Sequence, residues 1–236
     1  MKKINNIKND VACHIISKTK NMETRYTTEV RANLDSGIIT GTAIVFNSVS
    51  NLLGNQFHEV IKPSAATEEF LRSQDIVMKY NHQADSILAR YRPDGERNSL
   101  KYNVDERGVH FSFKAKAKDA GLLESIRDGD LSSASFSFAV SDEPESQKWE
   151  RRDDGSYLRT VNKFKAIADF SLVINPAYSE ANVNTRGLDE FKQAEELAKV
   201  KIEEKRVEDE KQKEINETKL SDYYKKYDDI IIDLKK

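Results

Sequence analysis

The sequence has very little cysteine, no long apolar segment and no excess of charge of one sign. Its one cysteine, Cys13, cannot form an internal disulfide, and no Cys/His cluster has zinc-site spacing, so we expect a reducing compartment and neither metal nor cofactor. No run approaches the roughly 18 apolar residues that span a bilayer, which predicts a cytosolic protein without a membrane partner. The 38 lysines and arginines nearly balance the 40 aspartates and glutamates, so charge gives no reason to expect nucleic acid as a partner.

The residue composition and pattern of the 236-residue chain change twice along its length. Residues 1–21 are polar and lack a sustained period, and we interpret them as a flexible leader. Residues 22–186 carry short strand-like runs and have the length of one ordinary domain. Residues 187–236 are rich in interleaved charges of both signs, with too few apolar positions for a core-facing stripe. This last part is predicted to be a solvated helix or weak coiled coil.

Short runs of β-branched and aromatic residues, closed by turn residues, predict a mainly β domain with flanking helices. Their brevity favours a closed or strongly curved, mainly antiparallel sheet. A helix is predicted to begin at Pro63, and a second one spans 119–129, with Asp119 as a possible N-cap and Gly129 at its end. The clearest predicted strands are 38–46, 75–80, 108–115, 133–140 and 170–174.

Four histidines are the candidate general bases. His14 lies in the leader, His58 in QFHEVIKP, and His110 in the strand GVHFSF, where alternation predicts a structural residue on the polar face. Only His82, in KYNHQADS, follows the end of a predicted strand in a polar loop, where functional side chains are commonly mounted. A lone histidine is more often structural than catalytic, so position alone does not assign His82 a role.

The segment DGDLSSASFSFAV places three serines on one face of a strand and apolar residues on the other. Periodicity alone favours solvent-facing hydroxyls on a half-buried strand, and it cannot choose among Ser133, Ser135 and Ser137 as a nucleophile. Serine proteolysis also needs a group that holds the base. Asp169 is a candidate because it interrupts an apolar stretch beside a strand, although an aspartate facing water fits the pattern as well.

Taken in order, four segments resemble the prohead protease family of tailed bacteriophages, which are capsid maturation proteases related to herpesvirus assemblin. GTAIVFNSVSNLLGNQFHEVIKPSA is similar to the family's opening, and KYNHQADSILAR to its Asn-His segment and Leu-x-Arg strand. IRDGDLSSASFSFAV is similar to its Gly-Asp-Leu turn and Ser-aromatic-Gly-Phe strand, and RTVNKFKAIADFSLVINPAYSEANVNTR to its closing segment. The resemblance runs through most of residues 22–186. It departs from the family at Ser137, where glycine is usual, and at Asp169, where Glu is common.

The resemblance implies a serine endopeptidase whose nucleophile is Ser135, whose general base is His82 and whose orienting acid is Asp169. Ser137 is the rival nucleophile on the same face. Arg151 and Arg152 are candidates for water-mediated help to the oxyanion. The implied fold is a small antiparallel β-barrel of the herpesvirus-protease type, with flanking helices and the charged C-terminal helix as an appendage.

The implied substrate is the major capsid protein or its scaffold segment, and the protease itself, inside an assembling procapsid in the host cytoplasm. We expect the C-terminal helix to contact scaffold or shell, and assemblin relatives imply self-association. Two other classes are consistent with parts of the sequence. One is a scaffolding or assembly protein that keeps the fold without catalysis. The other is a small-ester hydrolase, although the sequence has no G-x-S-x-G nucleophile elbow.

Overall fold

The computed structural model describes residues 22–27, 29–174 and 185–234 of the chain. By its internal contacts the chain divides into two compact units, Met1–Asn184 and Thr185–Lys236. The predicted leader at 1–21, with Cys13 and His14, lies outside the described residues, as does the Pro-Ala-Tyr part of the closing segment.

The described part of the first unit is mixed α+β and mostly strand. Its strands are β1 (Glu23–Thr27), β2 (Val30–Asn33), β3 (Ile38–Val45), β4 (Phe57–Ile61), β5 (Ile76–Tyr80), β6 (Ile87–Tyr91), β7 (Leu100–Val104), β8 (Gly108–Lys114), β9 (Ser133–Val140), β10 (Gln147–Arg151), β11 (Tyr157–Val161) and β12 (Phe164–Val173). Its helices are α1 (Glu68–Arg72) and α2 (Ala120–Arg127), with 3-10 turns at Pro63–Ala66, Ala117–Asp119 and Pro144–Ser146.

These strands form three sheets. The five-stranded sheet has the order β1-β9-β12-β5-β6, the four-stranded sheet β2-β3-β8-β7 and the three-stranded sheet β10-β11-β4. Most pairings are antiparallel, as predicted, but β12 pairs with β5 and β11 with β4 in parallel. Each parallel pair joins strands that are distant in sequence, so no hairpin turn signals it. Within the described residues the pairings do not close a barrel, and the herpesvirus-type barrel stays a prediction.

The predicted strands are present, with some changes at their ends. The strand predicted at 133–140 coincides with β9. The strand predicted at 170–174 is the second half of β12, which begins at Phe164. The first half was missed because Lys165 and Asp169 interrupt its apolar pattern.

Both predicted helices are present, but they begin differently. The helix expected from Pro63 is wrong as a single helix: the 3-10 turn ends at Ala66, and Thr67 caps α1 by accepting a hydrogen bond from the Phe70 N–H. The Thr67 hydroxyl therefore starts a new helix. Asp119 makes no side-chain cap on α2, because a 3-10 turn leads into that helix.

Strand β9 is an interior strand of the five-stranded sheet, paired with β1 on one edge and with β12 on the other. On its core face Phe136 and Phe138 pack against Phe164, with ring centroids 6.1 and 4.7 Å apart. All three rings are buried, and burial of each contributes about 1.5–3 kcal/mol. The aromatic face thus fixes the strand that carries the candidate nucleophile.

Strand β1 is anchored on its core face by a buried cluster of four charges. Arg25 binds Glu59 on β4 at 2.7 Å and Glu23 at 2.9 Å, while Arg159 on β11 binds the same carboxylates at 3.0 and 2.6 Å. All four residues are buried, and the two cations balance the two anions. Removing one partner would leave a buried charge unpaired, which typically costs about 3–5 kcal/mol. The cluster therefore ties the five-stranded sheet to the three-stranded one.

The second unit is a single helix of 49 residues, α3 (Arg186–Leu234). Its described side chains are mostly exposed, including large apolar ones such as Leu197 and Ile202. The prediction of a charged C-terminal helix is confirmed. Across the described ranges, no helix is both long and apolar enough to cross a bilayer.

Candidate active site

The three serines of β9 lie on a buried face. Ser133, Ser135 and Ser137 are 1, 5 and 7% exposed, so the alternative of solvent-facing hydroxyls is wrong. Strand alternation correctly separated them from the aromatic face, but alternation cannot show what covers the polar side. Residues of β12 and of the turn after β5 do so.

Strand β12 brings a carboxylate to this face through its antiparallel register with β9. Asp169 lies opposite Ser137, and Ser171 lies opposite Ser135. Asp169 is 4% exposed, so the alternative of an aspartate facing water is also wrong. Residues 169 and 171 share one face because strand side chains alternate.

His82 reaches the same face from the turn that follows β5. Asn81 and His82 both have left-handed backbone, with φ of 47° and 57°. Asparagine and histidine are among the non-glycine residues most often found there. The turn is docked on β12, where the Asn81 N–H donates to the carbonyl of Leu172 at 2.8 Å. Because β12 and β5 are parallel neighbours, the turn emerges beside the strand that carries Asp169.

The three residues named from the family resemblance form one hydrogen-bonded series. The Nε2 atom of His82 lies 2.8 Å from the Ser135 Oγ, and the Nδ1 atom lies 2.5 Å from the Asp169 Oδ1. Ser137 also contacts His82, but its Oγ lies 3.2 Å from Nδ1, the nitrogen that already binds the carboxylate. The two serines are therefore distinguished by the ring nitrogen that each one meets.

The Asp169 carboxylate is held by three partners, His82, Lys79 and Ser171. Burial raises the pKa of this carboxyl. The hydrogen bond and charge of His82, together with the Lys79 ammonium, lower it by more than burial raises it, so the pKa lies below its ordinary value. The Lys79 Nζ lies 3.0 Å from Oδ2, while His82 occupies Oδ1. Asp169 is therefore ionised at neutral pH and can accept the Nδ1–H of a neutral imidazole.

Lys79 and Ser171 belong to this polar network, although neither stands out in the sequence. Lys79 lies on β5 within IVMKY, and Ser171 is fully buried on β12. The signal that could have found Ser171 is its spacing of two from Asp169, which places both side chains on one strand face. Lys79 depends on the parallel pairing of β5 with β12, which no local pattern predicts.

The other described candidates lie apart from this series. His58 on β4 bonds a backbone carbonyl at 2.8 Å, and His110 belongs to a separate network on the four-stranded sheet. Arg151 is the last residue of β10 in the three-stranded sheet and Arg152 follows it, and both are exposed. Within the described ranges, no group of three or more His, Cys, Asp or Glu residues is arranged to hold a metal ion.

An imidazole that meets a carboxylate at Nδ1 and a serine hydroxyl at Nε2 has the side-chain arrangement of a serine hydrolase. A family model described as caudovirus prohead serine protease matches residues 24–194, a range that includes all three members of the series. The chain therefore belongs to the caudovirus prohead serine protease family, whose members are serine peptidases by that description. Comparisons with curated proteins and with solved structures find no match.

Proposed function

We propose that this protein is a serine endopeptidase that cleaves capsid or scaffold segments during procapsid maturation. In this proposal Ser135 is the nucleophile, His82 the general base and Asp169 the acid that orients the base. The observation that carries it is the continuous series from the Ser135 hydroxyl through His82 to Asp169. Family membership supports the reaction class, and the series supports the choice of residues.

In the first half-reaction the Ser135 Oγ attacks the scissile carbonyl carbon while the His82 Nε2 takes the hydroxyl proton. The 2.8 Å contact between these atoms is within the range for such a transfer. The bond from Nδ1–H to Asp169 keeps the Nε2 lone pair directed at the serine, and the carboxylate stabilises the imidazolium that forms. The imidazolium then protonates the leaving amine, and the peptide bond breaks to give an acyl-enzyme ester on Ser135.

The second half-reaction uses the same atoms with water as the nucleophile. The His82 Nε2 takes a proton from water as the water oxygen attacks the ester carbonyl, and it returns this proton to the Ser135 Oγ when the ester bond breaks. The His82 side chain is 28% exposed, so water and substrate can reach the ring. The buried side of the site holds the acid.

In this proposal the donors for the developing oxyanion are backbone N–H groups other than that of Ser135. Ser135 is paired on both edges, with Tyr26 of β1 and Ser171 of β12, so its backbone N–H belongs to the sheet. This differs from sites in which the nucleophile's own N–H stabilises the oxyanion. Backbone N–H groups of another segment are the expected donors.

The capsid setting, the targets and the role of the tail are also part of the proposal. We assign the activity to residues 22–186, within an assembling procapsid in the host cell, with the protease itself as one substrate. The exposed, charge-patterned α3 is the expected contact with scaffold or shell. Kinship with herpesvirus assemblin, including a closed barrel and self-association, is a finer proposal supported by the strand-rich domain.

Co-expression with the matching capsid precursor tests the assignment. We expect cleavage by the parent chain, no cleavage by Ser135→Ala or His82→Ala, and retained cleavage by Ser137→Ala, the matched serine on the same strand face. Cleavage that persists in Ser135→Ala would refute the nucleophile. Absence of cleavage by a folded parent chain, with normal procapsid assembly, would instead support the non-catalytic scaffolding alternative.

A truncation after Arg186 tests the role of the tail separately. The shortened chain should cleave a peptide substrate at the parent rate but be lost from procapsids, as measured by the protease content of purified particles. Equal incorporation of the shortened chain would overturn the assignment of α3 as the packaging contact.

A further inference from the structure

The position of His82 depends on two consecutive left-handed residues, Asn81 and His82. Neither is glycine, and each non-glycine residue in such a conformation costs on the order of 1–3 kcal/mol. A turn of this kind persists only when neighbouring groups hold it. What holds the turn therefore determines whether the imidazole stays aligned between its two partners.

Three hydrogen bonds to β12 and to the residue after it hold the turn. The Asn81 N–H donates to the Leu172 carbonyl at 2.8 Å, and the Ile174 N–H donates to the Asn81 side-chain oxygen at 3.2 Å. The third contact is the only one of these made by a β12 side chain, because the His82 N–H donates to the Ser171 Oγ at 3.2 Å. This hydroxyl therefore fixes the backbone of the base itself.

The same hydroxyl also contacts the acid. The Ser171 Oγ lies 3.1 Å from the Asp169 Oδ1 and 3.1 Å from the His82 Nδ1. A hydroxyl has one proton to donate and lone pairs to accept. When Nδ1 carries the proton that it gives to Asp169, the Ser171 proton goes to Asp169 as well, and its oxygen accepts the His82 N–H.

From these contacts we infer that Ser171 is a positioning residue, which sets the alignment of His82 and Asp169 by bonding the backbone of one and the carboxylate of the other. It is fully buried, so water does not compete for these bonds. It acts through the other two residues and touches no substrate. This role rests on the proposed function, in which His82 is the general base.

Ser133 provides a matched control for Ser171. It is also a buried serine on the same side of the five-stranded sheet, but it lies opposite Val173, two positions further along the β9–β12 pair than Ser135. Among the described contacts of His82 and Asp169, none is with the Ser133 hydroxyl. Ser133→Ala therefore removes an equally buried hydroxyl without touching the base or the acid.

The test compares Ser171→Ala, Ser171→Cys and Ser133→Ala in the full chain, with the capsid precursor as substrate. Ser171→Ala loses one neutral hydrogen bond and one hydrogen bond to a charged group. We therefore expect it to lower kcat by about 10- to 100-fold, with KM nearly unchanged. Ser171→Cys keeps the shape of the side chain while its thiol is a weak donor, so it should show the same loss if alanine fails to fold. Ser133→Ala should keep the parent kcat.

A second readout does not require activity. In the parent protein the His82 backbone N–H should exchange slowly with solvent, and its Nδ1–H should give a resolved low-field proton resonance. Both signals should weaken in the Ser171 variants and persist in Ser133→Ala, whereas a merely structural role would leave the Nδ1–H signal of the folded variants unchanged.

The outcomes separate this inference from the proposed function. If a folded Ser171 variant keeps a kcat within about threefold of the parent, the positioning role is overturned while the peptidase assignment stands. A loss that small is less than the loss of a hydrogen bond to a charged group ordinarily causes. An unchanged Nδ1–H resonance and unchanged His82 exchange would overturn it too. A parent chain without peptidase activity would refute the proposed function, and the two spectroscopic signals would still decide whether Ser171 aligns His82.

Discussion

The described residues contain two series of carboxylate, imidazole and hydroxyl, one around His82 and one around His110. In the first, Nδ1 meets Asp169 at 2.5 Å and Nε2 meets Ser135 at 2.8 Å. In the second, the His110 Nε2 meets Asp105 at 2.9 Å and Nδ1 meets the Thr42 hydroxyl at 3.0 Å. By distance alone both series resemble the machinery of a serine or threonine hydrolase.

The two series differ in where the hydroxyl proton goes. The Thr42 hydroxyl donates to the Glu29 carboxylate at 2.6 Å, so its one proton is already used. Thr42 therefore has no proton left to give to the His110 ring. Among the described contacts the Ser135 hydroxyl bonds only His82, which leaves its proton for the imidazole.

The two carboxylates also differ in burial. The Asp169 side chain is 6% exposed and the Asp105 side chain 38%. Water screens an exposed charge and weakens its influence on a neighbouring ring. A hydroxyl near a histidine is therefore a candidate nucleophile when its proton is uncommitted and the opposing acid is sheltered from water.

The sharpest test of this difference compares Asp169→Asn with Asp105→Asn. An amide at position 169 can donate to Nδ1 and so favours the wrong tautomer of His82. We expect kcat to fall by about 10⁴-fold, as for carboxylate-to-amide changes in Ser-His-Asp sites. Asp105→Asn should leave the rate of capsid-precursor cleavage unchanged. A comparable loss in both variants would mean that the His110 series also takes part in activity.

A smaller effect is expected from Lys79→Met, which removes the ammonium that binds the Asp169 carboxylate. The pKa of this carboxyl lies below its unfolded value of about 3.9, so its contribution to stability is present above that pH and is lost as pH falls through the folded pKa. Without Lys79 the pKa is less depressed. The variant should therefore lose about 1.5–3 kcal/mol of unfolding free energy near neutral pH.

Chemical denaturation at several pH values measures this effect. The stability difference between parent and Lys79→Met should shrink as the solution is acidified below pH of about 4, where Asp169 becomes protonated in the unfolded chain. Lys165→Met is the control, because its ion pair with Asp142 is well exposed and is expected to contribute only about 0–1 kcal/mol. A pH-independent difference for Lys79→Met would contradict the ion-pair account.

Ser137→Ala should have a milder effect still. The Ser137 hydroxyl lies 3.2 Å from Nδ1, so its loss removes at most one neutral hydrogen bond, worth about 0.5–1.5 kcal/mol, or up to about tenfold in kcat/KM. Steady-state kinetics beside Ser135→Ala would measure the contrast. Equal losses in the two variants would show that the ring nitrogen met by each serine does not distinguish their roles.

Family resemblance predicts more of the site than the residue pattern alone does. Ser135, His82 and Asp169 were selected by the order of family-like segments, whereas alternation along β9 left three equivalent serines. The local sequence does not predict that the polar face of β9 is buried, because this burial depends on the docking of the turn after β5 on β12. The same long-range pairing hides Lys79, and the buried Arg25 occupies a strand position that looks polar and solvated.

The smallest expected effect concerns the ionisation of Asp105. The hydrogen bond from His110, aided by the backbone N–H of Arg107, lowers the pKa of Asp105 to about 2. In His110→Val this pKa should rise toward the ordinary value of about 3.9, without reaching it because the backbone donors remain. Carboxyl NMR titration measures the change. The carboxyl of Asp154, whose pKa is lowered by Ser156, should titrate unchanged as the control. An unaltered Asp105 titration would contradict the hydrogen bond between His110 and Asp105, and with it the contrast between the two series.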